Sequence, residues 1–372
     1  MKKPNVSIGF LGNIYFDTRT YNLFKSLKLS GHNVIFNGFD WMTPGFKTIL
    51  GRGIRIIKLI KHKFSLLYYI KFAFLLFFNI IKQKADVYFA ADVYSLPFCT
   101  MAAGLKKKRV FYDAREIYPE LSGVKNKNLV KRLIQIIESF CIKRVDLVIT
   151  TGEMDSKYIE NCYRIANTVV LRNLPLKRKN FPRVDFYKKY SIFNTAWILV
   201  YQGIIMPGRG IETIFKVLQK YYDSYLIILG WGEFQSDYER KAVNMGIHDR
   251  VFFAGKVPQD ELQNYTAGGD VGLCLIDNIS FNNYYALPNK LFEYIMAGLP
   301  VIVSDLPQMK AVVEKYDIGA VVPEGDEDEV IRVLKKWKER PSLYNNLKQN
   351  CKLASEELNW EREFGKVLRH FQ

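Results

Sequence analysis

Twelve short apolar runs, separated by helical stretches, constrain the fold of this chain more than any other feature. In the first half they fall at residues 6–11, 33–36, 85–90, 109–113, 145–150 and 169–172. In the second half they fall at 197–201, 225–229, 251–253, 271–275, 300–304 and 320–322. Short buried strands alternating with helices form parallel sheets covered on both faces. Two such sets predict two Rossmann-like α/β domains, which 372 residues can hold. The join is expected near Arg172-Asn173-Leu174-Pro175, ahead of the basic, polar stretch 177–183.

The richest segment runs from Pro288 through Asn289, Lys290, Glu293 and Tyr294 to Ala297-Gly298-Leu299-Pro300-Val301-Ile302. It reads as a turn, a helix of about ten residues, a Gly-Pro break and a buried strand. Lys290 and Glu293 are three residues apart at the helix start, so they share one face. A lysine beside a free helix N-terminus suits a diphosphate. A carboxylate one turn later suits a pair of ribose hydroxyls. The segment resembles the P-x-K-x-x-E-Y…A-G-x-P-V-I signature of family 4 retaining glycosyltransferases, which have the GT-B fold.

That resemblance implies two Rossmann-like domains facing each other across a cleft. It places an acceptor-binding, membrane-facing domain at 1–173, a nucleotide-sugar-binding domain at 174–355, and a helix at 356–372 crossing back to the first. The W-E-x-x-F pattern of Trp360, Glu361 and Phe364 resembles that last element. Arg209 follows the strand ending at Gly203 and offers planar bidentate donors to a diphosphate. A second basic residue common in that loop is missing, with Ile204 after Gly203. Gly232 and Glu233, in Gly230-Trp231-Gly232-Glu233, follow a strand in a G-x-G turn that lets backbone approach a ligand closely, the alternative being a plain strand-to-helix turn, and Lys256 by resemblance edges the base pocket. Tyr285 stands where the family commonly has a glutamate, eight positions before Glu293. This departure bears on the donor sugar.

In the first half, Gly12 after the opening strand, Asp17-Thr18-Arg19, and Gly31-His32 match the family's opening D-x-R and G-H-x-V elements. Arg19 either binds an acceptor anion or pairs with Asp17, and His32 reads as structural. Arg115, in Asp113-Ala114-Arg115-Glu116, replaces a histidine thought to contact the donor sugar. The alternative reading has it bonded into its own loop. The resemblance implies transfer with retention, in which the donor's own phosphate takes the acceptor proton. Arg209 and Lys290, with Arg115, then bear on the leaving group, and no protein nucleophile is expected.

Charge narrows the partners. Residues 1–173 hold 28 Lys/Arg against 12 Asp/Glu, while residues 174–372 hold 26 against 25. The net charge of +17 therefore belongs to the first half. Nine cations and no acid lie between Trp41 and Ala85, among them Arg52, Arg55, Lys58, Lys61 and Lys63. They flank the apolar run 64–81, whose central Lys71 would cost about 2.5–3.5 kcal/mol in a membrane span. A helix lying on anionic lipid fits better, the alternative being a domain helix with a solvated basic flank. Nucleic acid is not expected, because no stacking motif accompanies the charge.

The five cysteines form no C-x-x-C and the four histidines no ligand spacing, so reduced thiols and no protein-bound metal are expected. Asp326-Glu327-Asp328 reads as a helix start rather than a metal motif. The expectation is a cytoplasmic glycosyltransferase on the inner face of the cell membrane. It would move a sugar from a nucleotide diphosphate to a lipid-linked or cell-envelope glycan. A nucleotide-sugar epimerase of the same fold would turn over donor without acceptor. A non-catalytic relative would bind nucleotide without turnover, and a basic membrane scaffold would bind none.

Overall fold

The computed structural model describes residues 3–41, 43, 46–51, 53–60, 65–124, 126–178 and 181–372. It divides into two units, Met1–Arg172 with Glu363–Gln372, and Asn173–Arg362.

The first unit runs β1 (Val6–Gly9), α1 (Thr18–Leu29), β2 (Val34–Asp40), β3 (Ile49–Gly51), β4 (Ile54–Lys58), α2 (Ser65–Ile81), β5 (Val87–Ala90) and α3 (Leu96–Lys106). It continues β6 (Arg109–Ala114), α4 (Asn128–Ile142), β7 (Leu147–Thr150), α5 (Glu153–Tyr163) and β8 (Thr168–Val170). The sheet order is β3-β4-β2-β1-β5-β6-β7-β8, parallel except for β3 against β4. The right-handed rule for parallel crossovers puts α1 on one face and α2, α3, α4 and α5 on the other. Tyr68, Phe72, Leu76 and Ile80 of α2 share one apolar core with Cys99 of α3 and Cys141 of α4.

The second unit runs α6 (Phe186–Lys189), β9 (Trp197–Gln202), α7 (Ile211–Lys220), β10 (Ser224–Leu229), α8 (Gln235–Asn244), β11 (Val251–Gly255), α9 (Leu262–Thr266) and β12 (Val271–Cys274). It continues α10 (Phe281–Tyr284), α11 (Asn289–Ala297), β13 (Val301–Ser304), α12 (Pro307–Tyr316), β14 (Gly319–Val322), α13 (Glu327–Glu339) and α14 (Pro341–Glu357). Its sheet, β11-β10-β9-β12-β13-β14, is parallel throughout. β9 is buried at all six positions, as a central parallel strand must be.

All twelve apolar runs are strands, with ends shifted by a few residues. β3 and β4 went unread. Arg55 and Lys58 interrupt the apolar pattern of β4, as cations commonly do near a sheet edge. β4 pairs with β2 from Phe36↔Ile54 to Asp40↔Lys58. The last helix, α15 (Trp360–Leu368), leads into Phe371, which is wholly buried against Phe89 and Phe111 of the first unit. His32 Nδ1 donates to Pro4 O (3.0 Å) and the ring meets the same Phe371 ring, a structural role. Asp326 caps α13 by accepting from Glu329 N, while Glu327 and Asp328 take Lys220. That triplet is a helix start, as expected.

Candidate nucleotide-sugar site

Parallel sheets leave their ligand sites beyond the carboxyl ends of the strands. At that edge of the second unit, β9 ends in Gln202, and Gly203 turns the chain with a left-handed φ of +134°. Gly203 N donates to Leu229 O (3.0 Å) and Ile205 N to Trp231 O (3.0 Å), so the loops after β9 and β10 are laced together. Gly232 permits this approach, since a Cβ there would sit 2.0 Å from Ile205 O. We therefore expect Gly232→Ala to cost about 1–3 kcal/mol through the forced separation of these loops. Thermal melting of the variant checks this, and an unchanged melting temperature would contradict it.

α11 brings in the charged groups. Pro288 caps it without any side-chain hydrogen bond, its carbonyl accepting from Leu291 N (3.1 Å), so that the Asn289 and Lys290 amides are left at the open start of the helix. Lys290 is only 7% exposed, its Nζ has no hydrogen-bond partner among the described residues, and it lies 4.1 Å from the centroid of the Tyr201 ring. Burial pushes its pKa down to about 8. The charge of Arg209 contributes to that lowering in a smaller degree. No hydrogen bond or ion pair joins Arg209 to another described residue. A buried cation without an acceptor is costly, and such a group suits an anionic ligand.

Glu293 lies one turn on, equally buried. Gln202 Nε2 donates to its Oε2, and Gln259 Nε2 donates to Oε1 at 3.4 Å. Gln202 is itself held, its Oε1 accepting from Thr266 Oγ1 (2.8 Å) and its backbone N donating to Tyr294 Oη (2.9 Å). Burial raises the Glu293 pKa to about 7. Two amides that orient a carboxylate without neutralising it leave an acceptor suited to hydroxyls. The sequence reading missed Gln202, Gln259 and Thr266. Gln202 had a signal, a polar residue closing an otherwise apolar central strand.

The other expected donor residues are less committed. Glu233 and Lys256 are exposed, and Lys256 sits over the Trp231 ring at 5.9 Å. Tyr285 packs edge-on to Phe281 (4.9 Å), and its carbonyl accepts from Gln308 Nε2. That arrangement makes it part of the α10 wall.

In the first unit one expectation is corrected. Arg19 pairs with Asp113 rather than Asp17, through Nε (2.9 Å) and Nη2 (2.6 Å), and its Nη1 donates to Leu171 O (2.5 Å). At 2% exposure its guanidinium is committed to these fold contacts. Gly12 packs against the Phe10 ring, from which a Cβ would fall 2.2 Å. Arg115 is held by Asp17 (2.7 Å) and Thr20 (2.9 Å) at the start of α1 and by Asp113 (3.0 Å) in its own segment, with its guanidinium over Phe10 at 5.0 Å. Its buried Nε has no partner among the described residues. Burial pushes the Asp113 carboxyl up, but Arg19 and Arg115 outweigh it and hold it below the ordinary carboxylate range. Arg55 and Lys58 lie on β4, and Arg52, Lys61 and Lys63 lie outside the described residues.

The family described as glycosyl transferases group 1 matches residues 182–354, the part that carries Arg209, Lys290 and Glu293. An uncharacterized glycosyltransferase of Methanocaldococcus jannaschii, MJ1607, is 23% identical over 186 residues, covering 48% of this chain and 45% of that protein. The amylovoran biosynthesis glycosyltransferase AmsK of Erwinia amylovora is 25% identical over 107 residues, 29% of this chain and 26% of AmsK. The chain thus spans less than half the length of these curated relatives.

Two solved structures match almost end to end. Sucrose-phosphate synthase of Thermosynechococcus elongatus superposes with a TM-score of 0.78 at 17% identity, covering 99% of both chains. Anabaena Alr3699/HepE in complex with UDP-glucose gives 0.73 at 13% identity, again covering 99% of both. The fold is GT-B.

Proposed function

We propose that this protein is a retaining glycosyltransferase that takes a hexose from a nucleoside diphosphate donor. The observation that carries the reading is the partnerless Lys290 ammonium, buried beside Arg209 at the open start of α11. Both cations would meet the diphosphate, where negative charge grows as the glycosidic bond breaks. Glu293, oriented by Gln202 and Gln259, would accept from the ribose hydroxyls. The donor's own phosphate oxygen would take the acceptor proton, so the protein would need to position groups rather than supply a nucleophile. HepE binds UDP-glucose and AmsK serves amylovoran biosynthesis, which supports a nucleotide sugar as donor and an envelope glycan or its lipid-linked precursor as acceptor.

The basic first unit would hold the enzyme on an anionic membrane surface. No helix among the described residues is long and apolar enough to cross a membrane. α2 would instead lie on the bilayer, with Leu67, Ile70, Phe74 and Phe78 outward.

Thermal shift and donor hydrolysis across UDP-, GDP- and ADP-sugars test the reading. One nucleotide should stabilise the protein, and its sugar should be released with the anomeric configuration kept. Stabilisation by no member of the panel would refute the donor assignment. Turnover of donor to an isomer without acceptor would favour the epimerase. Glu293→Ala should weaken binding of the stabilising nucleotide about tenfold or more, as loss of a charged hydrogen-bond acceptor does. Unchanged affinity would contradict the ribose role.

A further inference from the structure

α4 carries a feature that the donor site does not use. Leu129, Leu133, Ile136 and Phe140 recur at spacings of four, three and four, which puts them on one stripe of the helix. All four are exposed with the whole chain present, Leu129 at 86% and Phe140 at 64%. Glu138, Cys141 and Ile142 face inward instead. α4 packs on α3, and α3 on α2, in one layer. The outward stripe of α2 and the exposed Met101 and Leu105 of α3 therefore extend the same apolar surface. Scattered exposed leucines need no explanation, but a surface spread over three adjacent helices does.

Charge selects what covers it. Residues 125–144 hold six Lys/Arg and one acid, and that acid, Glu138, is buried and takes Tyr112 Oη and Tyr163 Oη. A cavity of about 760 Å³ opens at the C-terminal end of α4, lined by Arg132, Lys143, Arg144, Ile136, Phe140 and Tyr158. Arg144 is held in place, its Nη1 donating to Phe140 O (2.6 Å) and its guanidinium 4.1 Å from the Phe140 centroid. No carboxylate pairs with Arg132, Lys143 or Arg144 among the described residues. A protein partner would cover the leucines, but three unpaired cations around a hollow ask for an anion placed next to apolar chains.

We propose that this hollow binds the phosphate headgroup of an anionic phospholipid, with Ile136 and Phe140 against its acyl chains and α4 embedded at the bilayer surface. The proposal rests on the membrane reading of the first unit and is independent of the donor site.

The test is sedimentation of the full chain with phosphatidylcholine vesicles, with and without phosphatidylglycerol. Binding should require phosphatidylglycerol. Arg132→Ala/Lys143→Ala/Arg144→Ala should bind on the order of a hundredfold more weakly, at about tenfold or less per charge near an anionic surface. Leu133→Ser/Phe140→Ser should bind about tenfold more weakly or worse. Both variants should keep the parent's melting temperature and its shift with nucleotide. Parent-like vesicle binding by the triple variant would overturn the headgroup site, and parent-like binding by the double variant would overturn the embedded helix. Retention on an acidic polypeptide with no vesicle binding would overturn both in favour of a soluble partner. Vesicle binding that follows the variants in a protein that no nucleotide stabilises would support this site and refute the donor reading alone.

Discussion

Lys290→Met is expected to bind the donor nucleotide on the order of a hundredfold or more weakly and yet melt at a higher temperature than the parent. Truncating one partner of a buried charge pair costs about 2–5 kcal/mol of binding. In the empty protein the same ammonium is a burden. Its pKa falls from 10.5 to about 8, which corresponds to about 3 kcal/mol at neutral pH. The sign follows from proton counting. Between pH 8 and 10.5 the unfolded chain holds this proton more tightly than the folded one, so stability rises with pH through that window. Methionine fills the space next to Tyr201 without a charge, and a melting gain of roughly 5 °C is expected for a domain of this size. Calorimetry with and without nucleotide reads both effects. A variant that melts lower and binds nucleotide like the parent would remove the anion role from Lys290.

The same two groups set a pH profile. Glu293 accepts from hydroxyls most strongly when ionised, above about pH 7, and Lys290 is cationic mainly below about 8. Nucleotide affinity is therefore expected to rise through pH 7 and fall through pH 8. Titration calorimetry across that range checks it, and a flat profile would show that neither group meets the ligand. In the empty protein Glu293 works against stability as pH rises from 4.5 to 7, because the folded state there holds the extra proton.

Arg19→Ala is expected to cost about 3–5 kcal/mol of stability, the effect of breaking a buried ion pair by removing one partner. Arg19 satisfies Asp113 and the carbonyl of Leu171 from within α1, and so ties β6 and the segment after β8 to the first helix. Arg115 remains beside Asp113 and softens the loss. Chemical denaturation followed by tryptophan and far-ultraviolet signals should show early melting of the variant. An Arg19→Ala protein with parent stability and only a weakened acceptor would restore the binding role.

The sequence was legible where residues in chain order become neighbours in space. Lys290 and Glu293 share a helix face by spacing alone, and both lie buried together at the start of α11. Asp326 was legible as a cap because capping is local. Arg19 was not, because its partner Asp113 stands 94 residues away and Asp17, the nearer acid, is taken by Arg115. β3 and β4 were hidden because cations near a sheet edge resemble a membrane flank.

The amino-acid sequence alone determined the two parallel sheets, their boundary region and the cationic face of α11, since each follows from periodicity, burial and turn chemistry within a few dozen residues. Only the tertiary structure decided which charges remain available. Arg19 and Arg115 are paired with distant carboxylates, whereas among the described residues Lys290 Nζ is buried with no hydrogen-bond partner and Arg209 is joined to none, because ion pairing depends on which side chains the fold brings within reach and not on their separation along the chain.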